Sequence, residues 1–182
     1  MADVRDSMSY AHPESLVSTE WLAQRLDAPD LRIVDATYYL PIQGKDAYSE
    51  YLDRHIPGAV FFDIDEIASK ETDLPHMLPS PEKFASAVRK LGLGDGNRIV
   101  VYDAHGMMSA ARVWWTFRVF GHQDVAVLDG GLPKWLKEGR PVEDRLPQPR
   151  QRHFTARFNN LMVRDKAQIR ANLTGRREQV VD

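Results

Sequence analysis

Tyr51-Leu52-Asp53-Arg54-His55-Ile56-Pro57-Gly58-Ala59-Val60-Phe61-Phe62 is the stretch whose reading decides the fold. Tyr51 to His55 is charged and ends in a histidine. Pro57 fixes φ, and Gly58 permits a turn that other residues resist. The run Val60-Phe61-Phe62 has the β-branched and aromatic character of a buried strand. A helix end or loop therefore turns sharply into a strand. His55, at that turn, reads as a hydrogen-bonding structural residue rather than a catalytic one.

Working outward, helical and strand patterns alternate. Ser18 caps a helix within Val17 to Leu26, with Trp21, Leu22 and Leu26 on one face. Leu31 to Asp35 is a short strand ending in an acid. Tyr38 to Asp46 is a loop, Ala47 to Arg54 a short helix, and Ala59 to Phe62 the second strand. Pro75-His76-Met77-Leu78-Pro79 is an irregular loop. Ser80 caps a helix with Pro81 at its first position, burying Phe84, Val88 and Leu91. Arg98 to Asp103 is the clearest strand. Ser109 to Phe120 is a helix, Val125 to Asp129 a strand, and Leu132 to Glu138 a short helix. Gly139 to His153, rich in proline and arginine, reads as an exposed linker. The alternation predicts an α/β domain with a mostly parallel sheet and helices on both faces. Ligand sites in such sheets lie beyond the carboxyl ends of the strands. Asp35, Asp103 and Asp129 stand there; for Asp35 the loop-capping role is the expectation.

Composition narrows the function. The 182 residues are 43% hydrophobic and 27% charged, ordinary for a globular protein. A net charge of −2 gives no electrostatic case for binding nucleic acid or an anionic membrane. No apolar run is long enough to span a membrane. The N-terminal residues are polar and mixed in charge, without the apolar core of a signal peptide, and read as a loose tail on a cytoplasmic protein. With no cysteine, the chain has no disulfide, no thiolate metal site and no cysteine nucleophile of its own. No metal or cofactor set is read from it.

The ordered pattern from Tyr51 through His55 to Pro57-Gly58-Ala59 and its apolar run resembles the first signature of the rhodanese (sulfurtransferase) family. Tyr102-Asp103, a loop, and Ser109-Ala110-Ala111-Arg112-Val113-Trp114-Trp115 resemble the cysteine-less N-terminal domain of tandem members. Gly92 to Asp103, Ser109 to Gly121 and Val125 to Trp135 match it well. Ala111, where proline is expected, departs from it. The resemblance implies a rhodanese-like fold over residues 16–138, after a flexible tail over residues 1–15. Residues 139–162 then link to a second copy starting near Val163. Val17-Ser18-Thr19 to Asp35 and Val163-Arg164-Asp165 to Asp182 repeat one pattern, a capped helix, a polar turn, two apolar residues and an aspartate. The chain then reads as the front part of a longer protein, exposing apolar surface meant for its own C-terminal domain.

In an active domain of the family, a cysteine sits in a loop at a helix N-terminus, where backbone N–H groups stabilise its thiolate and persulfide. Here Asp103 occupies that position. Asp103, Ala104, His105, Gly106, Met107, Met108 and Ser109 form a pseudo-active loop that cannot carry transferable sulfur. The resemblance further implies that Asp65 and His76 pair with a serine of the missing catalytic loop, as in 3-mercaptopyruvate enzymes. Thiosulfate enzymes usually carry Glu and an apolar residue there. A carboxylate-supported imidazole can relay a proton near neutrality, which mercaptopyruvate chemistry needs and thiosulfate chemistry does not. Arg112 is read as ordering the pseudo-active loop or the domain interface, and Trp114 and Trp115 as packing.

The function expected is sulfur transfer from 3-mercaptopyruvate, through a persulfide on a cysteine outside this chain, to a thiol acceptor such as thioredoxin or to cyanide. The alternatives are a thiosulfate sulfurtransferase and an inert rhodanese-type binding module. A third, an aspartate-nucleophile phosphatase, is suggested by Phe62-Asp63-Ile64-Asp65. Ile67, standing where that motif expects Thr or Val, argues against it, and so does its place after the His-Ile-Pro-Gly-Ala turn.

Overall fold

The computed structural model describes residues 11–181. Five parallel strands form one sheet in the order β1-β5-β4-β2-β3: β1 (Leu16–Val17), β2 (Leu31–Asp35), β3 (Ala59–Phe61), β4 (Arg98–Tyr102) and β5 (Val125–Leu128). The helices are α1 (Thr19–Ala23), α2 (Ala47–Asp53), α3 (Ile64–Ile67), α4 (Pro81–Lys90), α5 (Ser109–Val119), α6 (Gly131–Lys137) and α7 (Lys166–Gly175). The α/β expectation holds, and the sheet is parallel throughout.

Buried on both faces, the strands read as continuous apolar runs, as parallel strands do. Alternate side chains go to opposite sides. Ile99 and Val101 of β4 join Phe84 of α4 and Val113 and Phe117 of α5 in one core. Val100 and Tyr102 join Leu22 of α1 and Leu132 and Trp135 of α6 in the other.

The Pro57-Gly58 turn is built as its residues suggest. Gly58 has φ +76°, and its N–H donates to Glu143 Oε1 at 2.6 Å. Tyr51 donates its hydroxyl to the Ala59 carbonyl at 2.8 Å, tying α2 across the turn to β3. The fully buried His55 stacks on Tyr51 at 4.2 Å, with Nδ1 2.7 Å from the Tyr51 carbonyl. Its ring is thus enclosed at the turn, against the backbone of α2.

Two regions differ from the sequence pattern. The helix expected from Val17 is preceded by a strand. Leu16 and Val17 pair with Val127 and Leu128 of β5, and the helix occupies only Thr19–Ala23. Residues 139–153 are exposed or half-exposed, as the sequence suggests, but the segment 139–162 does not hang free. Glu143 forms a two-hydrogen-bond antiparallel bridge with His55. The His153 carbonyl accepts from Asp95 N, Arg157 N donates to the Phe120 carbonyl and Asn159 N to that of Val119. Phe154 is fully buried, edge-on to Phe84 at 5.6 Å and to Phe117 at 6.3 Å. The segment straps the domain and completes its core. Further on, α7 begins at Asp165 with the capping box expected of a helix start, but buries no residue. Val180 and Val181 form no strand and are exposed, and Asp182 lies outside the described residues. The tail expected over residues 1–15 lies outside the described residues for its first ten; Pro13–Ser15 form a 3-10 turn.

Candidate functional site

The carboxyl ends of β2 and β4 and the segment after β3 converge on one cluster. β4 delivers Asp103 to the start of α5. The pseudo-active loop is closed by that single carboxylate. Asp103 Oδ1 accepts from the backbone N–H groups of His105 (2.9 Å), Gly106 (2.7 Å) and Met107 (3.0 Å). Oδ2 accepts from Ala110 N at 2.8 Å. The carboxylate is fully buried, and these are four charge-assisted bonds. An anion thus sits in a ring of backbone donors at a helix N-terminus, a setting that also favours a thiolate. Gly131, with φ +53°, lets the chain pass close beneath: a Cβ there would lie 2.5 Å from the Asp103 carbonyl. Met107 and Met108 are exposed, and Ser109 is buried with an unpartnered hydroxyl among the described residues.

β2 feeds the same loop. Asp35 Oδ1 accepts from Thr37 N at 2.9 Å and Thr37 Oγ1 at 2.6 Å; Thr37 Oγ1 in turn accepts from Ala104 N at 3.0 Å. Burial pushes the Asp35 carboxyl up, against the pull of the Thr37 bonds. Asp35 is therefore a loop cap, as expected. Thr37 is a link that the sequence reading missed; an acid closing a strand with Thr two residues on is the signal that could have found it. Tyr38 follows, and His105 reaches back with Nε2 3.0 Å from its carbonyl.

Asp65 and His76 meet. Asp65 lies in the first turn of α3, which Asp63 caps by accepting from Glu66 N at 2.9 Å. Asp63 is thus spent on a helix cap, away from the phosphatase role. His76 sits in the proline-bounded loop, its Nε2 2.9 Å from Asp65 Oδ1. The Tyr38 ring meets the His76 ring edge-on at 4.9 Å. Burial, and Asp65 nearby, push the Tyr38 phenol up. His76 has φ +56°, the left-handed region, which costs a non-glycine residue roughly 1–2 kcal/mol. The side chains of His76 and Asp65 are 34% and 61% exposed, and a pair so solvated contributes only about 0.2–1 kcal/mol. Their contact does not by itself hold the loop. Arg112 does more: its Nη2 donates to the His76 carbonyl at 2.7 Å while its guanidinium lies over the Trp115 ring at 4.7 Å. Within this chain the bond that Arg112 makes is to the His76 backbone, not to the pseudo-active loop that the sequence reading offered as one of its two partners. Ser69 N donates to the Met77 carbonyl at 2.9 Å, fixing the other side of the loop.

Among the described residues no group of three His, Asp or Glu is placed to hold a metal ion. A cavity of about 400 Å³ opens beside Ala104, lined by Asp35, Thr37, Tyr39, Lys45 and Glu50 among others.

Residues 18–138 match the Rhodanese-like domain family. The chain belongs to the rhodanese family. The 3-mercaptopyruvate sulfurtransferase of Homo sapiens is 44% identical over 174 residues, 92% of this chain and 59% of the relative. The thiosulfate sulfurtransferase of Bos taurus is 45% identical over 174 residues, 92% of this chain and 58% of the relative. Among solved structures, SseA of Escherichia coli, described as a 3-mercaptopyruvate sulfotransferase with the rhodanese fold, superposes with a TM-score of 0.86. It is 37% identical, and the match covers 91% of this chain and 63% of that one. This rhodanese chain therefore spans about three fifths of the length of these relatives.

Proposed function

We propose that this chain is the cysteine-less front part of a tandem 3-mercaptopyruvate sulfurtransferase, with the persulfide carried by a cysteine outside residues 1–182. The observation that carries the reading is the Asp65–His76 pair at 2.9 Å, joined through Tyr38 to the loop of Asp103, the residue we read at the nucleophile position. The relatives' names support sulfur transfer as the class of reaction.

The chemistry assigns the pair its task. A cysteine thiolate attacks the sulfur of mercaptopyruvate. The C–S bond breaks, its electron pair leaves on the methylene carbon as the enolate of pyruvate, and the sulfur stays as a persulfide. The proton of the substrate thiol must leave, and one proton must reach the enolate carbon to give pyruvate. Imidazole is the side chain suited to move that proton near neutral pH. Asp65 on Nε2 fixes the tautomer, so that Nδ1 is the lone pair offered to the reaction. The exposed apolar side chains of Met77, next to His76, and of Met107 and Met108, in the pseudo-active loop, fit a face covered by the protein's own C-terminal domain. The persulfide then passes to a thiol acceptor such as a reduced thioredoxin, in the cytoplasm.

A thiosulfate donor is the second reading, favoured by 45% identity to the bovine thiosulfate sulfurtransferase. Thiosulfate brings no proton to move, so the two readings separate at His76. The test measures pyruvate release from 3-mercaptopyruvate, and sulfite release from thiosulfate, for the protein from the full reading frame and its His76→Ala variant. The proposal expects His76→Ala to lower kcat for mercaptopyruvate by about 10²-fold and to leave thiosulfate turnover alone. Equal loss on both donors, or loss on neither, overturns it.

A further inference from the structure

We infer that Arg112 is a positioning residue for His76: it holds the imidazole on Asp65 by gripping the His76 backbone from α5. The inference rests on the proton-relay reading of that pair.

Arg112 is half-buried, burial pulls its guanidinium down, and among the described residues no carboxylate pairs with it. A desolvated cation normally finds a counter-charge. This one donates Nη2 to a neutral carbonyl, His76 O at 2.7 Å, and lays its plane over Trp115 at 4.7 Å. Burying a charge for a single carbonyl bond is a poor use of it for stability. It is a good use for geometry, because the planar fork on the ring has little freedom left.

The loop needs that grip. His76 stands at φ +56° in a backbone region its side chain disfavours, and its ion pair with Asp65 is too exposed to offset the strain. Tyr38 steadies the ring edge-on at 4.9 Å but does not touch the backbone twist. Without the bond from Arg112, the Ser69–Met77 bond holds only the far side of the loop, and a change in φ at His76 swings the ring away from Asp65. Arg112 lies one turn inside α5, and the first turn of α5 is fixed by the bond from Ala110 N to Asp103. The loop that cannot carry sulfur would thus serve the reaction at one remove, by setting the helix that sets the histidine.

The test has a spectroscopic arm and a kinetic arm, both on the protein from its full reading frame. In ¹⁵N-labelled protein, the His76 ring signals are assigned by their loss in His76→Gln, and Asp65→Asn supplies the signature of a broken pair. Arg112→Leu is expected to move the His76 ring signals onto those of Asp65→Asn while the other histidine signals stay. Arg112→Lys, which keeps the charge and the alkyl stem, is the fallback if the leucine variant does not fold, and is expected to move the same signals part of the way. In the kinetic arm, Arg112→Leu is expected to lower kcat for mercaptopyruvate about tenfold or more at unchanged KM, and to spare thiosulfate. His76 ring signals that stay at their wild-type positions in folded Arg112→Leu, or in Arg112→Lys where that is the variant read, overturn the inference. The relay reading fails separately, if His76→Ala turns over mercaptopyruvate normally; the ring signals still decide what Arg112 does.

Discussion

Asp103 and Ala110 stand at the two ends of the pseudo-active loop, and one bond, Ala110 N to Asp103 Oδ2 at 2.8 Å, shuts it. With the other carboxylate oxygen taken by three more N–H groups, both oxygens of the side chain are bonded to the backbone. On the function proposed above, the position of the sulfur nucleophile is here a carboxylate enclosed by backbone donors.

That closure predicts the behaviour of two substitutions. Asp103→Ala strands buried donors and should destabilise the domain by about 2–4 kcal/mol in urea unfolding. Asp103→Asn is the sharper test. Whichever way the amide lies, its NH₂ faces at least one N–H that now lacks an acceptor. Asparagine should therefore also be clearly less stable than wild type, and an unchanged midpoint would count against the four-bond closure.

Gly131→Ala should disturb the same loop from below. Its φ of +53° is strained for alanine, and the new Cβ would press on the Asp103 carbonyl from 2.5 Å. Amide exchange at His105, Gly106 and Met107 reports the change directly. Those protons should exchange faster in the variant than in wild type, with a loss of about 1–3 kcal/mol in global stability.

Phe154→Ala tests the strap. A fully buried phenylalanine among Phe84, Phe117 and His122 should cost about 3–5 kcal/mol on truncation. Chains ending before and after residues 154–159 should differ sharply in thermal unfolding, only the longer one melting cooperatively.

His122 should make the domain acid-sensitive. Burial pulls its imidazole below the usual value, against Asp124 and Asp95 nearby. The unfolded chain therefore takes up a proton first as pH falls below about 6.5, and stability declines over that window until the folded pKa is reached. His122→Gln should flatten the melting temperature between pH 7 and 5. A decline that survives the substitution would place the acid sensitivity elsewhere.

Much of this was legible in the residues. The period of Phe84 and Val88 gives α4, and the apolar run Ile99 to Tyr102 gives β4, because burial on one or both faces writes itself into pattern. Leu16–Val17 escaped, since two residues carry no period and Ser18 reads more strongly as a cap. Phe154 escaped because a single aromatic in a polar, proline-rich stretch looks like surface. Asp65 and His76 sit in a helix turn and a loop, where spacing says nothing of proximity; only the family resemblance brings them together. The left-handed backbone of His76 is invisible in residue type, because histidine does not advertise it as glycine would. Arg112 was visible as a residue worth noting, but its acceptor is a backbone carbonyl, which no pattern of side chains can reveal.

The strap has a consequence for biosynthesis. The last sheet-covering helix, α6, ends at Lys137, yet the aromatic that seals the core is Phe154. A nascent chain that has just released α6 from the ribosome holds all five strands and still has a hole among Phe84, Phe117 and Phe120. The domain cannot reach its final packing until translation has carried Phe154 clear of the exit tunnel. By then the ribosome is already reading codons beyond the strap. Co-translational folding of this domain is therefore timed by sequence that follows it, and a pause in synthesis just after α6 would leave an apolar cleft open to chaperones.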